Sequence, residues 1–102
     1  MSGDHTRLRV FELADRLTVH VYRATECLPP SERYGLQSQM RCAAVSAATN
    51  IVEGCTRTTT KDYVHLLIVS LGSASELGYL IGLTRRLGFI TTESTERLGA
   101  LC

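Results

Sequence analysis

Aliphatic side chains recur every three or four residues along most of this chain, a rhythm that predicts helices. Leu8, Phe11, Ala14, Leu17, Val21, Ala24 and Leu28 fall on one face. Val10, Leu13 and Val19 lie off that face. The first helix is thus apolar on more than one side and is expected deep in a bundle or against another subunit. Pro29-Pro30 should end it, because proline lacks the amide donor and restrains the residue before it. The polar residues 1–5 ahead of it are expected to fray.

A second helix is expected from Ser31, whose hydroxyl would cap it with Glu32 in the first turn. Leu36, Met40, Ala43, Ala44, Ala47 and Ile51 form its main face, and Val45, Ala48 and Val52 a flank. Residues 43–48 are nearly all small, which lets neighbouring helices approach closely. Gly54 stands where a helix C-terminus would place a positive φ. The polar, β-branched run from Cys55 to Thr60 reads as a loop.

Thr59 or Thr60 is expected to cap a third helix with the stripe Tyr63, Val64, Leu67, Leu71, Ala74, Leu77 and Ile81. Gly72, Gly78 and Gly82 lie inside it, and each costs roughly 1 kcal/mol against alanine. Three of them imply close backbone contact. Arg85-Arg86-Leu87-Gly88 is a stop signal: cations in the last turn, then glycine. Thr92-Glu93 opens a fourth, short helix through Leu98 and Leu101. Only Leu66–Leu71 could pass as a strand, and its length and flanks favour helix.

Four helices on short loops must alternate in direction. The expected fold is therefore all-α, an antiparallel up-down-up-down four-helix bundle with a short fourth helix, in one domain over residues 1–102. The 102 residues suffice for one core, and 44% of them are apolar.

Charge narrows the function classes. The net charge is +1, so nucleic-acid affinity would require basic residues gathered on one face. Ten of the eleven basic residues are Arg, Lys61 being the exception. Cys27, Cys42, Cys55 and Cys102 are scattered with no CxxC pair, and His5, His20 and His65 are isolated, so no metal site is expected. The cysteines read as reduced thiols acting as small hydrophobes, and with no apolar leader at the start the expected location is cytoplasmic. Residues 63–83 approach a membrane-spanning length but carry His65 and Glu76, so they are expected to be a helix of a soluble core.

Two kinds of polar cluster stand out. Asn50, Glu53 and Arg57 step by three and four residues, and with Glu76 on the third helix they form a candidate polar network, structural or at an interface. Arg9, Arg16 and Arg23 recur at intervals of seven, drifting about 20° per step, so they make one ridge with Glu12, Asp15 and Glu26 nearby. Arg57 with Arg85 and Arg86 is a second candidate basic patch. These six arginines are the candidate nucleic-acid contacts. No phosphate loop, nucleophile–histidine pair or Glu-x-x-His pair is present, so neither catalysis, a cofactor nor a small-molecule substrate is expected.

The run Tyr34-Gly35-Leu36-Gln37-Ser38-Gln39-Met40-Arg41-Cys42-Ala43-Ala44-Val45-Ser46, continued by Asn50-Ile51-Val52-Glu53-Gly54 and Arg57, resembles a known family. So do Gly72-Ser73-Ala74-Ser75-Glu76-Leu77 and Leu87-Gly88. The resemblance is to the bacterial four-helix-bundle proteins encoded in intervening sequences of 23S ribosomal RNA genes, and it spans roughly Phe11 to Leu101. Ala48 stands where those proteins usually have proline, Val52 where alanine is common, and Thr58-Thr59 in place of a more basic loop. The resemblance implies a pentameric ring of bundles, as in the related accessory proteins of diversity-generating retroelements, which bind nucleic acid with reverse transcriptase. The expected function is a non-enzymatic homo-oligomer of assembly or scaffold type. The alternative is a nucleic-acid-binding accessory protein, with RNA, DNA or a reverse-transcriptase complex as partner.

Overall fold

Pro29 and Pro30 set the first corner of the chain. In the computed structural model, which describes residues 2–90, helix α1 runs Ser2–Ala24, α2 Leu36–Cys55 and α3 Thr60–Arg86. Helix α1 begins within the polar stretch 1–5 expected to fray. It gives way to a 3-10 turn, Thr25–Cys27, and Leu28 is extended at φ −66°, ψ 145°. That is the conformation a following proline imposes.

The second corner differs from expectation. Ser31 is not a helix cap. Pro30–Glu32 forms its own 3-10 turn, and α2 starts only after Gly35. The carboxylate of Glu32 does the capping instead, its Oε1 accepting from the Leu36 amide at 3.2 Å. A carboxylate four residues before the start of a helix can reach its first amide and complements its dipole.

Gly54 also has a different role from the expected positive-φ stop. It is buried inside α2, which runs on to Cys55. A Cβ there would stand 3.1 Å from Cδ1 of Tyr63, so its bare backbone lets α3 come close. The loop is short. Thr59 then caps α3, its hydroxyl accepting from the Asp62 amide at 3.2 Å. At the far end Gly88 has φ 82°, and the amides of Gly88 and Phe89 return to the carbonyls of Arg85 and Thr84. This is the glycine stop anticipated from the sequence.

Helices α2 and α3 pack antiparallel along a seam of small side chains, and α1 lies against α2. The core gathers Leu17 and Val21 of α1, Met40, Ala43 and Ala44 of α2, Leu77, Leu80 and Ile81 of α3, and, outside the helices, Leu28 and Ile90. Three hydroxyls are buried with them and all are satisfied. Ser70 donates to the Ala47 carbonyl at 2.7 Å, Thr84 to Leu80 at 2.6 Å and Thr25 to Val21 at 2.7 Å.

The main face expected for α2 is the observed one. That of α3 is rotated: Leu77 and Ile81 are buried, whereas Val64 and Leu71 point outward and Ser70, Leu80 and Thr84 take inward positions. Only 22% of its most apolar window is buried within the chain, so α3 is not a helix enclosed by its own core, although its length and composition suit a membrane span. Every described element is helical. The fourth helix expected over Thr92–Leu101 lies outside the described residues.

Candidate functional site

The outward face of α3 is a run of apolar side chains that the core does not absorb. Val64, Ile68, Leu71, Ser75, Tyr79 and Gly82 recur at steps of three and four and so share one face. Ile68 is 60% exposed, Leu71 60% and Tyr79 62%. Lys61 and Arg86 lie on the same face at its two ends, and the stripe between them, Val64 to Gly82, carries no charge over about 27 Å of helix. The close contact expected at Gly72, Gly78 and Gly82 does not arise among the described residues, where a Cβ added at any of them meets nothing within 4 Å.

The arginine ridge is formed as the heptad spacing predicts. Arg9, Arg16 and Arg23 are all exposed on α1. Among the described residues no carboxylate pairs with them; the one ion pair is Glu53–Arg57, at 3.9 Å and solvent-exposed. The second basic patch is not assembled. Arg57 precedes the first turn of α3, whereas Arg85 and Arg86 close its last turn, about 40 Å away along the helix.

The expected polar network divides. Asn50 turns inward along α2, its Nδ2 donating to the Ser46 carbonyl at 2.8 Å and to Ser46 Oγ at 3.2 Å. Ser46 and Ser73 share a hydrogen bond of 2.9 Å across the α2–α3 seam. Among the described residues Glu53 pairs only with Arg57. Glu76 sits one turn beyond Ser73 and is not brought to Glu53, which is about 10 Å farther along α2 than Ser46.

A groove that the sequence reading missed opens where the two 3-10 turns bring α1 against the start of α2. It has a volume of about 540 Å³, and its walls include Tyr22, Arg33, Tyr34, Gln37, Arg41 and Cys42. Arg41 is anchored there. Its Nε donates to Thr25 Oγ1 at 2.9 Å, its Nη2 to the Tyr22 carbonyl at 3.0 Å, and its guanidinium lies 4.5 Å from the Tyr22 ring centroid. Gln37 Nε2 adds a bond of 3.0 Å to the Thr25 carbonyl. Most of the α2 side of the groove falls within the run Tyr34–Ser46 that carries the family resemblance, but nothing linear shows that Tyr22 and Thr25, well upstream, meet it.

The cysteines depart from expectation. Cys27, Cys42 and Cys55 are free but exposed rather than packed as small hydrophobes. They fall on outer faces of the helices, where the periodicity left room for polar residues. Among the described residues no three His, Cys, Asp or Glu side chains gather to hold a metal.

Residues 6–102 match the family described as 23S rRNA-intervening sequence protein. The chain belongs to that family. No curated protein matches it. In this member of the 23S rRNA-intervening sequence proteins, the residues that carry the resemblance fall into two sets. Met40, Ala43, Ala44 and Ile51 are buried, while Tyr34, Gln37, Ser38, Arg41 and Ser46 line the groove.

Proposed function

We propose that this protein is a non-enzymatic, cytoplasmic assembly protein that associates with copies of itself through the outward face of α3. The observation that carries this reading is the uncharged stripe from Val64 to Gly82, with Ile68, Leu71 and Tyr79 largely wet in a single chain. Contiguous apolar surface of that extent is what self-association buries. Gly78 and Gly82, open to the outside, let a second helix approach closely. A bilayer is the poorer occupant, because Glu76 lies well inside α3 and a spanning pose would carry its carboxylate into the hydrocarbon. The family likeness points to a four-helix bundle assembled as a ring of five.

The test is mass in solution. Ile68→Glu together with Leu71→Glu places two charges on the stripe without touching the core. The wild type should sediment as an oligomer and the variant as a folded single chain. A wild type that stays monomeric at high micromolar concentration overturns the proposal.

A second reading, accessory binding of RNA or DNA, is favoured by the exposure of Arg9, Arg16 and Arg23 along one face with no paired carboxylate among the described residues. An oligomer would repeat the ridge in every copy and multiply a weak contact. Charge reversal along the ridge should then weaken binding to a nucleic acid and flatten its salt dependence.

A further inference from the structure

We infer that the groove between the end of α1 and the start of α2 binds single-stranded nucleic acid, one base stacking on Tyr34 and a neighbouring phosphate meeting Arg33 and Arg41. Three observations converge on that ligand. The first is shape and content: an open groove of about 540 Å³ whose lining holds two tyrosines and two arginines and no carboxylate. Aromatic faces with adjacent arginines are the elements by which proteins hold splayed single strands, the ring taking the base and the guanidinium the phosphate.

The second is Arg41. It is half-buried and oriented by a hydroxyl, a carbonyl and an aromatic face. None of these partners is an anion, and among the described residues no carboxylate lies within ion-pair distance of it. Its charge is thus positioned without being neutralised, and its Nη1 makes no hydrogen bond among the described residues. A guanidinium held in this way suits a phosphate, which offers the missing charge and further acceptors. The nearest acidic side chain in sequence, Glu32, is occupied at the start of α2.

The third is Tyr34. It is 89% exposed at the groove edge, outside the core and with no cation stacked on its ring among the described residues. A duplex would present only its backbone to such a ring, whereas an unpaired base offers a face to stack on. None of Arg9, Arg16 and Arg23 is among the groove's lining residues, and the assignment stands or falls independently of that ridge and of the α3 stripe.

The experiment measures binding of a labelled 12-nucleotide single strand, as RNA and as DNA, beside the corresponding duplex and free mononucleotides, at several salt concentrations. Tyr34→Ala should weaken the single strand about ten-fold or more. Arg33→Gln should weaken it and reduce the salt slope by roughly 0.7. Both side chains are exposed, so melting temperatures should be unchanged. Arg41 is left in place because it joins α2 to α1. Bound single strand should also slow alkylation of Cys42, which lines the groove, relative to Cys27 and Cys55. No binding at low salt overturns the assignment. So does binding insensitive to Tyr34→Ala and Arg33→Gln but lost on charge reversal of Arg9, Arg16 and Arg23, or binding equally strong for duplex or for mononucleotides. Shielding of Cys42 that rises with protein concentration alone would mean that a second copy fills the groove, and would equally overturn it.

Discussion

Ser70 of α3 donates a 2.7 Å hydrogen bond to the carbonyl of Ala47 in α2, and both residues are buried. The bond crosses the α2–α3 seam between the Gly54–Tyr63 contact at one end and the Met40–Thr84 contact at the other. Small side chains set the spacing of the two helices, and the hydroxyl ties them at that spacing. Ser70→Ala should therefore cost about 1 kcal/mol, the net worth of one such bond. Ser70→Leu should cost about 1–3 kcal/mol by overfilling the seam. Urea unfolding of the two variants beside the wild type measures both, with the leucine variant expected to be the less stable.

Gly88 and Gly78 should respond oppositely to alanine in the single chain. At Gly88 the φ of 82° is one that a Cβ resists, so Gly88→Ala should destabilise by about 1–2 kcal/mol. At Gly78 the backbone is helical and the surrounding space open, so Gly78→Ala should stabilise an isolated chain by roughly 0.5–1 kcal/mol. Under the assembly proposal the same methyl group intrudes on a neighbouring copy. Gly78→Ala is then expected to raise the unfolding midpoint of a monomeric background while weakening association of the wild-type background.

Thr25 links both helices to the groove, since its hydroxyl donates to Val21 and accepts from Arg41. Thr25→Val keeps the shape and removes the acceptor. The expected cost is about 1 kcal/mol. Arg41, released from one of its two anchors, should become more mobile, which side-chain NMR of its Nε–H reports directly.

The three described cysteines are exposed and unpaired. Cys27, Cys42 and Cys55 should each react with a thiol reagent under native conditions, without denaturant. Storage without reductant should build up disulfide-linked species, and replacing all four cysteines of the chain, Cys102 included, by serine should abolish these.

Much of the fold was legible because one face of α2 is apolar and the other is not: Met40, Ala43, Ala44, Ala47 and Ile51 are inward as periodicity requires. The Thr59 cap and the Gly88 stop were legible for the same reason, being local chemistry. Helix α3 was not, because it is apolar around most of its circumference. Periodicity then cannot say whether Leu71 or Leu80 faces inward, and packing against the small residues of α2 decides for Leu80. Ser31 and Glu32 both had capping chemistry, and the 3-10 turn started by Pro30 selected the carboxylate. The arginine ridge could be read from heptad spacing, but the groove could not. Tyr22 and Arg41 meet only because the chain reverses between them.

The most direct test of self-assembly is the mass of the native protein by sedimentation equilibrium, for the wild type and for the chain carrying Ile68→Glu and Leu71→Glu. The account predicts a wild-type mass that is a multiple of 11.2 kDa, five-fold for a ring of five, and a helical variant at 11.2 kDa. A wild type at 11.2 kDa across the concentration range, or a variant that keeps the full oligomer mass, would contradict it.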